Sequence, residues 1–424
     1  MVRYAAFQVA QISDLLSTRT TTASFLDKAM HKVQTFNAIS AKGLDRLSRD
    51  CFEVSSDMTS PDALLLRSHK LADVDIGNSV SAIARAGAGV NNIPVDHCTE
   101  RGIVVFNTPG ANANAVKELV AAGMLLASRD IVGGMQFINN LDPSLSEDDM
   151  GPLLEANKKQ FAGSELQGKT LGVLGLGAIG SLIARLGLDL GMEVIGYDPA
   201  ISVEAAWRLP SSVKKMENMQ SLFSRADYVS LHIPAIESTK GLINSESLAY
   251  FKPGACLLNF AREQIVNTES VVDALDNQRL RRYVTDFPSP MLRNRRDTIL
   301  MPHIGASTSE AEENCAIMAA DQLKAFLDQG NIKNSVNFPP IELERTTEAR
   351  LTVTNINAPG TLSLILNVLG DADLNVVDLL NKSRGNVAYN LIDLDIIPSG
   401  AVLDKLRSVE GVINVRFLGK PCSL

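Results

Sequence analysis

One stretch, Lys169 to Pro199, constrains this chain more than any other, because its order of strand, glycine turn, helix, strand and acid has few uses. Leu171–Leu174 is a short apolar run. It leads directly into Gly175-Leu176-Gly177-Ala178-Ile179-Gly180, a helix-like Ser181–Leu190, a second run Glu193–Tyr197 and then Asp198. Gly175 permits a tight turn, Gly177 leaves no Cβ in the way of a pyrophosphate, and Gly180 lets helix and strand approach closely. The amides that open the helix, around Ala178 and Ile179, present the positive end of the macrodipole to phosphate. Asp198 can accept both ribose hydroxyls of an adenosine and would repel a 2′-phosphate, so the stretch predicts NAD rather than NADP.

A chain of 424 residues is too long for one compact core, and two to four domains are expected. The net charge of −8 supplies no basic surface to offset a phosphate backbone, which argues against nucleic acid as a partner. The cysteines (Cys51, Cys98, Cys256, Cys315, Cys422) are odd in number and lack metal-ligand spacing. That fits a reducing compartment and no bound metal. No run approaches the apolar length of a membrane span. The cytoplasm is therefore expected. A Ser- and Thr-rich Arg3–Lys32 segment leaves organellar import open, with Asp14 and Asp27 against it.

From Val33 the text alternates as α/β. Thr35–Ile39 reads as a strand and Gly43–Leu47 as the start of a helix. The buried-strand run Ala63–Leu66 ends in Arg67-Ser68-His69-Lys70, a basic cluster where open α/β sheets hold ligands. Ile83–Ala86 feeds a small-residue loop, Gly87-Ala88-Gly89, whose backbone a substrate can approach closely. Ala113–Arg129 reads as a long buried helix and Leu141–Gly151 as a surface connection. Further on, strands end in Arg262, Asp286 and His303, three chemistry-bearing residues at one sheet edge. Asn331–Pro340 reads as a linker. The last stretch follows a βαββαβ order and predicts a small antiparallel sheet backed by two helices.

Several of these motifs together resemble the D-2-hydroxyacid dehydrogenases, and within them the phosphoglycerate-oxidising branch that carries a C-terminal ACT domain. They are Leu64-Leu65-Leu66-Arg67-Ser68, Arg85–Asn92, Gly110–Leu119, Gly175–Gly180, Leu258–Arg262 and Pro302–Thr308. The resemblance implies two doubly wound Rossmann-like α/β lobes, the first flavodoxin-like and the second NAD-binding, followed by a ferredoxin-like ACT unit. The expected boundaries are 1–32 as an extension, 33–111 with 306–336 as the substrate lobe, and 112–305 as the NAD lobe. A linker over 337–347 and the ACT unit over 348–424 complete the division.

The implied activity is oxidation of 3-phospho-D-glycerate to 3-phosphohydroxypyruvate, the first step of phosphorylated serine synthesis. His303 would be the general acid/base and Arg262 the substrate clamp. An imidazole exchanges protons near neutrality, and a guanidinium grips a carboxylate bidentately. Arg67, Ser68, Lys70, Gly87, Gly89 and Asn112 would hold substrate. Lys117 is either a further cation for it or a solvated helix residue. Beyond the glycine loop and Asp198, the cofactor set comprises His232, Pro234, Ala261, Arg262, Asp286 (on the carboxamide), His303 and Gly305. Asn355, Asn357 and Asn375 would take L-serine as effector between two ACT units, or merely cap turns. A homodimer through the cofactor lobes, or a homotetramer through the ACT units, is implied as well.

One departure stands out. The family usually places a glutamate against the histidine five residues after Asp286, and here that position is Met291. Other D-2-hydroxyacid dehydrogenases, or a catalytically silent NAD(H) sensor, are the rival readings.

Overall fold

The computed structural model describes residues 30–421, so most of the expected extension, and Cys422, lie outside the described residues. The chain divides into two units, one built from the segments on either side of 112–311 and the other from 112–311 itself.

The first unit opens with five parallel strands: β1 (His31–Phe36), β2 (Phe52–Ser55), β3 (Ala63–Leu66), β4 (Ala82–Arg85) and β5 (Val104–Phe106). Their order is β2-β1-β3-β4-β5, the flavodoxin-like arrangement. All four residues of β3 are fully buried, as a strand covered on both faces requires. β1 starts and ends earlier than the Thr35–Ile39 expected. Asn37 takes a left-handed φ of 66° and its Oδ1 accepts the amide of His69 at 2.7 Å, which turns the chain out of the sheet.

Seven parallel strands form the second unit: β6 (Thr170–Leu174), β7 (Glu193–Tyr197), β8 (Lys214–Lys215), β9 (Tyr228–Leu231), β10 (Ala255–Asn259), β11 (Leu280–Thr285) and β12 (Thr298–Leu300). The order β12-β11-β10-β9-β6-β7-β8 reverses between β6 and β9, which makes that crevice the switch point of a Rossmann sheet. The segment Leu141–Gly151 is not all connection: it runs into a helix, Glu147–Asn157. Ser146 caps it by accepting the amide of Asp149, and Glu147, Asp148 and Asp149 face the positive end of its dipole. The acidic run is a helix start.

The C-terminal sheet consists of β13 (Ala349–Ile356), β14 (Val376–Arg384), β15 (Val387–Leu394) and β16 (Val412–Leu418), antiparallel in the order β14-β15-β13-β16. The helices Thr361–Gly370 and Gly400–Arg407 cover one face around Leu351, Val353, Ile365 and Leu406. The other face is no free surface. Tyr389 and Leu391 share a core with Phe106, Phe326 and Phe338 of the first unit.

Asn331–Pro340 is correspondingly not a loose linker. Asn337 accepts from the amide of Val105 at 2.9 Å and donates to the carbonyl of Ile103 at 2.9 Å, so it extends the edge of β5 as a strand would. The long helix Ser309–Gln329 ends against the C-terminal sheet. Arg350 donates to the Gln329 carbonyl, Arg416 to that of Leu327, and the Tyr389 hydroxyl to that of Gly330. Cations at the negative end of a helix dipole are stabilising.

Arg350 is fully buried. It meets Asp393 through Nε at 2.5 Å and Nη2 at 2.8 Å, and gives its other N–H groups to the carbonyls of Gln329, Leu343 and Glu344. Cys98, Cys256 and Cys315 are free and buried.

Candidate active site

The glycine turn follows β6 as expected, and each glycine answers a different demand. Gly175 has φ 90°, and a Cβ there would stand 2.5 Å from the His232 carbonyl oxygen. A Cβ on Gly180 would fall 1.9 Å from the Gly175 oxygen. Both are glycines because the fold needs them. Gly177 differs, since a Cβ would meet nothing within 4 Å. Its open side is a cradle that only a ligand needs kept clear.

The helix Ala178–Asp189 that follows has no side-chain cap, which leaves its first amides available to an anion. Asp198 ends β7 with Oδ2 accepting the Leu176 amide at 2.8 Å and Oδ1 the Ala200 amide at 2.9 Å, which ties the acid to the glycine turn. These residues fit a dinucleotide.

His232 follows β9 with Nε2 2.7 Å from the Ser230 hydroxyl, while its buried Nδ1 has no partner among the described residues. Burial pushes this imidazole down to about 3 from 6.5, so it stays neutral. Pro234 is exposed just beyond.

Adjacent strands β10, β11 and β12 are followed by Arg262, Asp286 and His303, so the three expected residues sit along one end of one sheet. Arg262 is half-buried, with Nη1 2.6 Å from its neighbour Ala261's carbonyl. Asp286 is 2% exposed and accepts the amides of Ile304 at 2.8 Å and Gly305 at 2.7 Å. His303 is exposed, in the left-handed region at φ 57°, with its ring 5.0 Å from that of Phe287. Met291 is 50% exposed. No carboxylate among the described residues pairs with the His303 ring.

Sequence reasoning passed over Asn259 and Thr285, both fully buried. Asn259 Nδ2 donates to the Arg262 carbonyl at 2.9 Å and its Oδ1 accepts from the Ala261 amide at 3.1 Å. Its own carbonyl accepts from both the Thr285 hydroxyl and the Asp286 amide. One polar residue at the end of an otherwise apolar strand thus joins two loops. That break in the apolar run was the available signal.

In the first unit Arg67, Ser68 and Lys70 follow β3, and Gly87 and Gly89 follow the neighbouring β4. Arg67 is not a free cation: its Nη2 lies 2.6 Å from Glu312. Arg85, also overlooked, donates to the carbonyls of Arg67 at 3.1 Å and Gly89 at 2.6 Å and so braces both loops. Asn112 and Lys117 belong to the second unit, where Lys117 donates to Asn114 at 2.6 Å.

Asn355 lies inside the C-terminal sheet. It is 3% exposed, with Oδ1 accepting from Asn390 and Nδ2 donating to the Ile356 carbonyl at 2.7 Å each. Asn390 accepts in turn from Asn381. Both faces of β13 are covered, so this amide serves the sheet's interior. Asn357 and Asn375 are exposed.

Residues 130–305 match the model of the D-isomer specific 2-hydroxyacid dehydrogenase NAD binding domain. The chain is 32% identical over 367 residues to the D-3-phosphoglycerate dehydrogenase of Haemophilus influenzae, spanning 83% of this chain and 85% of that protein. To the D-3-phosphoglycerate dehydrogenase of Escherichia coli K12 it is 29% identical over 379 residues, 83% of this chain and 86% of that one.

Among solved structures, the NAD+-bound 3-phosphoglycerate dehydrogenase of Entamoeba histolytica superposes with a TM-score of 0.57 at 26% identity. It covers 73% of this chain and 99% of its own. The holo D-mandelate dehydrogenase of Rhodotorula graminis shares the fold, with a TM-score of 0.62 at 23% identity over 74% of this chain and 99% of that one.

The Rossmann sheet with its glycine cradle and acid define an NAD-dependent oxidoreductase. The chain belongs to the D-2-hydroxyacid dehydrogenase family.

Proposed function

We propose that the protein oxidises 3-phospho-D-glycerate at C2 to 3-phosphohydroxypyruvate. What carries this reading is Arg262 and His303 following β10 and β12, the strands on either side of β11 in the dinucleotide sheet, in a chain whose relatives bear that activity's name. Bound at the Gly175–Gly180 turn and Asp198, NAD+ supplies the hydride acceptor. Arg262 orients the substrate carboxylate and polarises the carbonyl oxygen as it forms. The His303 ring takes the hydroxyl proton. Asn259 holds the Arg262 loop while this happens.

For the phosphate, Arg67, Ser68 and Lys70 supply cations and a hydroxyl, with Gly87 and Gly89 giving backbone access. Arg67 must then share or leave its partner Glu312.

The C-terminal sheet fits an ACT-type regulatory role with L-serine as effector, taken by Asn355, Asn357 and Asn375, of which Asn355 is buried in the single chain. A homodimer through the cofactor lobes is supported by the exposed Leu125, Ile131, Val132, Met135 and Ile138 of the second unit. Among the described residues no helix is long and apolar enough to cross a membrane. The cytoplasm is part of this reading.

Steady-state reduction of 3-phosphohydroxypyruvate with NADH, with and without L-serine and beside hydroxypyruvate, tests the proposal. Strong preference for the phosphorylated acid is expected, and turnover is expected to be lost in His303→Ala. Equal turnover of hydroxypyruvate would move the protein to another member of its family.

A further inference from the structure

We propose that Asp286 is the positioning residue of His303, acting on the loop backbone where a ring-bound carboxylate is missing. The inference rests on His303 being the acid/base and not on which 2-hydroxy acid is the substrate.

Three observations converge. The imidazole pairs with no carboxylate among the described residues, and position 291 supplies a thioether that is half exposed. Something else must fix the ring. His303 also holds a left-handed φ of 57°, a conformation that disfavours any residue with a Cβ and does not persist without support. The support is visible on the next two residues, whose amides both donate to the Asp286 carboxylate, one to each oxygen, at 2.8 and 2.7 Å.

Hydrogen bonds to an ionised, buried acceptor are the strong kind, and two of them fix the orientation of the peptide planes that carry the imidazole. Phe287, the neighbour of Asp286, packs its ring 5.0 Å from that of His303 and restricts it from the side. Asp286 is itself anchored, since its amide donates to the Asn259 carbonyl. A buried chain of hydrogen bonds therefore runs from the Arg262 carbonyl through Asn259 and Asp286 to the amides after His303. It sets the clamp and the base in one frame.

This role differs from a contact between Asp286 and the nicotinamide carboxamide. Such a contact serves cofactor affinity, whereas the hold on the loop serves the placement of the base. Asp286→Asn keeps one acceptor oxygen and turns an NH2 group against the other amide. Gly305→Ala leaves the carboxylate intact but places a Cβ 3.0 Å from its Oδ2, which presses the loop away.

The experiment uses the full chain and whichever 2-oxo acid the wild type reduces, so a wrong substrate assignment is seen in the wild type before any variant is compared. NADH affinity is followed by fluorescence titration, and kcat is measured across pH. Both variants are expected to lose kcat by about 10- to 100-fold, uniformly across pH, with NADH Kd unchanged within about twofold. Retention of kcat in both variants overturns the proposal. So does a rise in NADH Kd that matches the loss in Asp286→Asn, which would assign the residue to the carboxamide. A displaced pH limb overturns it too, because Asp286 would then act through its charge and not through position.

Discussion

At the scale of single residues, what decides a role here is whether a polar atom is engaged or left open. Asp286, Asn259 and Asn355 are polar residues in apolar surroundings, and all three have their hydrogen-bonding capacity taken up by neighbouring backbone or amides. His232 is the opposite case, with one ring nitrogen enclosed and unpartnered. Because burial lowers its pKa to about 3 from 6.5, the folded protein binds fewer protons here than the unfolded chain between those values. Stability from this site is intact above pH 6.5 and falls as the pH drops below it. His232→Gln is accordingly expected to lose less Tm than the wild type between pH 7 and pH 5 in thermal denaturation; equal losses would show that the ring is hydrated.

At the scale of elements, the glycine turn separates what the fold needs from what the ligand needs. Gly180→Ala drives a Cβ into the Gly175 carbonyl and is expected to lower Tm sharply. Gly177→Val meets no protein atom within 4 Å of the new Cβ, so Tm is expected to hold while NADH affinity falls by at least about tenfold, close to 1.4 kcal/mol. Calorimetry and a binding titration on the same two variants check the contrast.

Much of this layer could be read from the residues alone. The strand, turn, helix and acid of 169–199 are local, and so are the strand ends that carry Arg262, Asp286 and His303. Features signalled by a single cap without apolar periodicity, or by partners distant in sequence, were not legible. The acids at 147–149 read as a loop because their helix is signalled by the Ser146 cap more than by apolar periodicity. The burial of Asn355 was hidden because the amide that engages it, Asn390, comes from the next strand over.

At the scale of the whole chain, the C-terminal sheet is joined to the first sheet through a common core, and its own strands β13 and β15 are tied by a fully buried ion pair. Arg350→Met would leave the fully buried Asp393 carboxylate without its partner, and is expected to destabilise the protein by about 3–5 kcal/mol in denaturant unfolding. A loss near zero would mean that the carboxylate finds solvent.

The arginines that grip the final carbonyls of Ser309–Gln329, and the tyrosine that holds the Gly330 carbonyl just after it, give the arrangement a mechanical meaning. A sheet hung on a tether can move by itself. Bolted to the end of a 21-residue rod, it cannot shift without carrying that end along, and the rod begins six residues after His303.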